Sequence, residues 1–133
     1  MSMSQEISRL ANGLTVVTET MPHLETTSLG IWVGVGARHE TLAENGISHF
    51  LEHMSFKGTA SRSAQAIAEE IESVGGELNA STGLETTAYY ARVLKGDEGL
   101  ALELLADILL NSSFAPDEME RERGVILQEI AAT

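Results

Sequence analysis

Residues 49 to 53 read His-Phe-Leu-Glu-His. A helix turns about 100° per residue, so His49, Glu52 and His53 would share an arc of roughly 100°. Phe50 and Leu51 fall outside that arc, and Ile47 and Met54 extend the apolar spacing. A helix opening at Asn45-Gly46 and stopping at Gly58 must therefore dock one side on a core and hold two imidazoles and a carboxylate on the other. Whatever the chain folds into has to supply an apolar layer beneath this segment and an open space above it.

The rest of the sequence offers that layer. Residues 14 to 20, LTVVTET, follow an Asn12-Gly13 turn signal and read as a strand. In 29 to 35, LGIWVGV, alternation places Leu29, Ile31, Val33 and Val35 on one face and Gly30, Trp32 and Gly34 on the other. Glycine weakens a strand unless something comes close, so the bare face predicts the approach of a helix or a peptide backbone. A second helix is expected from its N-cap Ser63, through Ile67, Ile71 and Val74, to Gly75-Gly76. Two strands near 77 to 82 and 86 to 94 follow, paired as a hairpin around Gly83. Asp97 is read as the cap of a third helix with Leu100, Leu104 and Ile108 on its apolar face, ending near Asn111. Pro116, with Asp117 and Glu118 behind it, opens a fourth that runs almost to the last residue. Two strands, two helices, two strands and two helices define an α+β class with a mainly antiparallel sheet and helices packed on one side.

Composition narrows the chemistry. The 133 residues, 43% hydrophobic, suffice for one domain with a core of its own. Without cysteine, thiolate catalysis and Cys-type zinc sites are excluded, so a metal must be held by His, Asp, Glu or backbone oxygen. A formal charge of −12 opposes a nucleic-acid partner and favours cationic ligands. No stretch reaches the ~18 apolar residues of a membrane span and MSMSQEISRL lacks a leader pattern, so the expectation is a soluble, cytoplasmic protein without a membrane partner.

The pattern H-x-x-E-H arises by chance on the order of 0.015 times in a chain of this composition. Two neutral imidazoles bind Zn²⁺ well, and a carboxylate that is not a ligand can take a proton from metal-bound water as general base. A hydrolytic zinc usually has three protein ligands. His23 and His39 are candidates for the third by type alone. Glu122 and Glu129 lie seven apart on the last helix and so project from one face. Glu129 sits among Val125, Ile126, Leu127 and Ile130, where an unpaired carboxylate would be costly. Glu122, in EMERERG, could equally pair with Arg121 or Arg123.

Together, HFLEH and the later Glu129 resemble the inverted zinc motif of the pitrilysin and insulinase metallopeptidases. Within that family ENGISHFLEHMSFKGT and ERGVILQEI are most similar to the β-subunit type of processing peptidase and its bacterial relatives. NGLTVVTE, WVGVGARHE, GGELNA and TAYYA fit the same pattern in the same order.

The resemblance implies that His49, His53 and Glu129 bind zinc, that Glu52 activates water and that Glu122 supports the metal. It also implies that the strand from Glu77 to Ala80 pairs with an extended peptide, Asn79 and Ala80 contacting its backbone. The chain departs from the family at STGLETT, so contacts at Ser81, Gly83 and Leu84 do not carry over. Family members continue into a second half, whereas here four residues follow Glu129. Residues 1–133 are thus expected to be the N-terminal portion of the peptidase domain, without its later strands and second domain. Homo-oligomerisation or pairing with the missing C-terminal half follows from the exposed sheet edges. The implied activity is zinc-dependent endopeptidase action on peptides, cationic presequence-like ones by charge. The alternatives are a non-catalytic, partner-binding scaffold of the same fold and a zinc-stabilised structural domain.

Overall fold

A computed structural model describes residues 4–132. Strands β1 (Ser4–Arg9) and β2 (Thr15–Thr20) form a two-stranded antiparallel hairpin. Strand β3 (Thr26–Val33) leads through two short 3₁₀ turns, Ala37–His39 and Leu42–Glu44, into helix α1 (Ile47–Ser55). Helix α2 (Ala64–Glu72), strands β4 (Glu77–Thr82) and β5 (Thr87–Leu94), and helices α3 (Glu98–Asn111) and α4 (Pro116–Ala132) follow. The second sheet is antiparallel in the order β3-β5-β4, so β5 is central and β4 is an edge. The α+β class, the antiparallel pairing and the helices on one side agree with the sequence reading. No described helix is long and apolar enough to cross a membrane.

The core lies between the β3-β5-β4 sheet and helices α2 and α3. Alternation along β5 buries Tyr89, Ala91 and Val93 while Tyr90 and Arg92 face outward. Against them pack Ile67 and Ile71 of α2 and Ala101, Leu104, Leu105 and Ile108 of α3. Burying a leucine such as Leu104 contributes about 1.5–3 kcal/mol. Helix α2 begins where expected, the Ser63 hydroxyl accepting the Ala66 N–H at 3.0 Å. Asp97 does occupy the N-cap position of α3, but its side chain makes no capping bond. Instead the Glu98 carboxylate folds back onto the Gly96 N–H at 3.0 Å and accepts the Thr27 hydroxyl, tying α3 to β3.

Two expectations need correction. Strand β1 was not anticipated, because Ser4–Arg9 is exposed on both faces and carries no burial pattern. Among the described residues, no helix or backbone meets the bare face of β3 at Gly30 or Gly34. A Cβ on Gly30 would meet the indole of Trp32 at 2.7 Å, while nothing lies within 4 Å of the same position on Gly34. The strand's own tryptophan fills the space its glycine leaves. Close backbone approach occurs one step later, at Gly36, where a Cβ would meet the Gly83 carbonyl oxygen at 2.5 Å. The Ala37 and Arg38 N–H groups bond the Gly83 and Leu84 carbonyls there, clamping the entry to α1 onto the β4-β5 turn.

Candidate metal centre

Helix α1 starts without a capping side chain, because its N-cap is Gly46 at φ +92°. Glu40 substitutes from outside the helix: one oxygen accepts the Gly46 N–H at 2.8 Å and the other the Ser48 N–H at 2.7 Å. These bonds, led by that from Ser48, hold the Glu40 carboxyl below its ordinary range. A negative charge on the exposed N–H groups of a first turn is favourable, so the start of α1 is fixed. The same helix buries Ser48, Met54 and Ser55. The Ser55 hydroxyl bonds the Leu51 carbonyl at 2.7 Å and lies 3.2 Å from the Tyr89 hydroxyl of the core. With that face docked, His49, Glu52 and His53 turn away toward β4 and α4.

Helix α4 lies against α1 and brings two carboxylates to it. Glu129 Oε2 is 3.3 Å from His49 Nε2 and 3.5 Å from His53 Nε2, and the two Nε2 atoms are 3.1 Å apart. A tetrahedral zinc about 2.05 Å from each donor needs donors about 3.3 Å apart, so the three edges fit three positions around one ion. The rings stand edge to face, 81° between planes. Among the described residues these three form the one cluster of His and acidic groups able to hold a metal.

Glu122 lies behind His53. Its Oε2 is 3.0 Å from His53 Nδ1 and its Oε1 is 2.6 Å from Lys57 Nζ. An ionised carboxylate only accepts, so Nδ1 donates to it, and in the neutral ring the Nε2 lone pair faces His49 and Glu129. Burial is the largest single influence on Glu122 and raises its pKa, but the hydrogen bonds from Lys57 and His53 together hold it below the ordinary value. Two imidazole nitrogens and a carboxylate oxygen thus converge on one point, an arrangement that calls for a cation between them.

Glu52 stands apart from the cluster and accepts a hydrogen bond from the Thr82 hydroxyl at the end of β4. Farther along that edge strand the Asn79 Oδ1 takes the N–H of Ala80 at 2.8 Å. The Nδ1 of His39 accepts the Gly36 N–H at 3.0 Å, which commits that ring to its own turn. His23, in the loop before β3, is exposed and outside the cluster. A hollow of about 570 Å³ runs along Lys57 to Gln65 and contains none of the three cluster residues.

Two arguments made from sequence change. Glu129 is about half exposed and only Ile126 of its apolar neighbours is buried, so burial is not what singles it out; its distance to both imidazoles is. Glu122 is the buried one, its side chain 6% exposed, while Arg121 pairs with Glu118 and Arg123 approaches Glu120. Lys57 and Thr82 were not foreseen. Neither lies on the helical arc of the motif, and nothing in their local sequence marks them.

The family model described as Insulinase (Peptidase family M16) matches residues 15–133. A zinc protease of Rickettsia felis, named as uncharacterized, is 54% identical over 125 residues, 94% of this chain and 30% of that one. The mitochondrial-processing peptidase subunit beta of Lentinula edodes is 50% identical over 124 residues, 93% of this chain and 27% of that one. The crystal structure of a protease from Helicobacter pylori superposes with a TM-score of 0.88 at 31% identity, covering 95% of this chain and 30% of that one. The chain therefore spans about 30% of the length of the relatives it matches.

Proposed function

Because the chain belongs to the insulinase family, peptidase family M16, we propose that it carries the metal-binding half of a zinc-dependent endopeptidase active site. The observation that carries this reading is the triangle of His49 Nε2, His53 Nε2 and Glu129 Oε2, with an additional carboxylate, Glu52, on the same helix but outside it. Zinc held there would polarise a scissile carbonyl and make water a stronger acid. His49, His53 and Glu129 would hold the ion, and Glu122 would keep His53 in the tautomer that can do so. Glu52 takes the proton from the attacking water at its carboxylate and passes it to the leaving amine, with the Thr82 hydroxyl fixing one of its oxygens.

The peptide adds alongside β4, where the sheet has an open edge and Asn79 and Ala80 lie. On binding, the Ala80 N–H exchanges the Asn79 side chain for a substrate carbonyl. A net charge of −12 makes cationic peptides the favoured substrates. The free edges of β3 and β4 also support pairing with a complementary half or a second copy.

Cleavage of an arginine-rich quenched peptide by the zinc-loaded chain and its Glu52→Gln variant tests the assignment. Cleavage by the parent that falls about 10²–10⁴-fold in the variant is the expected result. Equal rates in the two would remove Glu52 from the mechanism. Zinc binding by the parent with no cleavage would point to a portion that needs a complementary half for turnover, or to the partner-binding scaffold reading.

A further inference from the structure

No ion pair or hydrogen bond joins the Lys57 side chain to the three cluster residues, yet it is the only described cation paired with Glu122 apart from the imidazole of His53 itself. Its place is set by the turn that closes α1. The Lys57 N–H bonds the Met54 carbonyl at 3.1 Å, Gly58 adopts φ +126°, and the Gly58 carbonyl accepts the Ser113 N–H at 3.0 Å. From this fixed backbone the ammonium reaches across to α4 and holds Glu122 Oε1 at 2.6 Å. The other oxygen is thereby aimed at His53 Nδ1, 3.0 Å away. Only 6% of the Glu122 side chain is exposed, so few other groups compete with the ammonium for that oxygen.

We infer that Lys57 is a positioning residue for metal binding, acting through Glu122 on the orientation of His53. The inference rests on the zinc reading above and goes beyond it in naming what fixes Glu122. Two physical effects of Lys57 oppose each other. As a bare positive charge it repels a divalent cation, so its removal alone would tighten binding. As an anchor of Glu122 it holds His53 Nε2 toward the metal, so its removal would loosen binding. The short contact to a buried carboxylate makes the second effect the larger.

The test is zinc affinity by competition with a chromophoric chelator at one pH. The proteins are the parent chain, Lys57→Met, Lys57→Arg, Glu122→Gln and the double variant Lys57→Met/Glu122→Gln, with melting temperatures of the zinc-free forms in parallel. Lys57→Met should raise Kd about tenfold, and Lys57→Arg should restore most of that loss. In the Glu122→Gln background Lys57→Met should change Kd little, because the route through Glu122 is already cut. Equal or tighter binding by Lys57→Met, or the same tenfold loss with Glu122 replaced, would overturn the inference while leaving the metal site standing. A parent chain that binds no zinc would overturn the metal reading, and this inference with it.

Discussion

Glu122 illustrates how one carboxylate can matter without touching the metal. Its two oxygens are spent on His53 and Lys57, and both bonds assume that it is ionised. Replacing it by glutamine keeps the shape but offers an amide in place of a charged acceptor, so zinc affinity should fall about 10–100-fold, read by chelator competition. A variant with parental affinity would mean that the tautomer of His53 is set elsewhere. His49, Glu52 and His53 were legible as a set because a helix repeats every 3.6 residues and their grouping is a local property. Glu129 could be nominated from its spacing to Glu122, but the reason offered, burial, was the wrong one. Lys57 and Thr82 were not legible, since each meets its carboxylate only after a turn or a strand has been placed against α1.

At the scale of elements, α1 depends on its neighbours at both ends. Glu40 fixes its start, so Glu40→Ala should lower the midpoint of urea unfolding, as the loss of a cap does. No change would show that the Gly46 turn holds the helix unaided. In α3, Leu104 is fully buried, and Leu104→Ala should cost about 2–5 kcal/mol. Exposed Leu110 should tolerate the same change within about 0.5 kcal/mol, and similar losses at both positions would contradict the burial described. The helices and β3, β4 and β5 could be read from sequence because each has a buried or half-buried face that imposes a period. Strand β1 could not: its pairing with β2 is set by the Asn12-Gly13 turn rather than by burial. The glycine-rich face of β3 misled for a related reason, since alternation shows which side is bare but not what will lie on it.

Over the whole molecule, one polar network joins loop, α2 and α3. Asp107 Oδ2 accepts the Thr59 hydroxyl at 2.7 Å and Arg62 Nη1 at 2.8 Å, while Oδ1 accepts the Asn111 amide at 2.8 Å. The Thr59 hydroxyl first, then Asn111 and Arg62, hold the Asp107 carboxyl down to about 2. A lowered folded-state value means that the stabilisation is present above the unfolded value near 3.8 and is lost as pH falls toward 2. On the order of 1–2 kcal/mol should therefore separate the chain from Asp107→Asn near pH 6 and shrink as pH falls from about 4 toward 2. A gap independent of pH would mean that the network does not depend on the charge of Asp107. At the same scale, the net charge of −12 should make KM for an arginine-rich peptide rise with ionic strength, and a salt-independent KM would argue against steering. The most direct measurement is zinc per chain by elemental analysis of the parent and of His49→Ala, Glu129→Gln and Glu52→Gln after metal reconstitution. One zinc per parent chain, lost from the first two variants and retained by the third, is the outcome predicted for a three-ligand site with a free carboxylate beside it. A parent without zinc, or a Glu129→Gln variant that keeps it, would contradict that site.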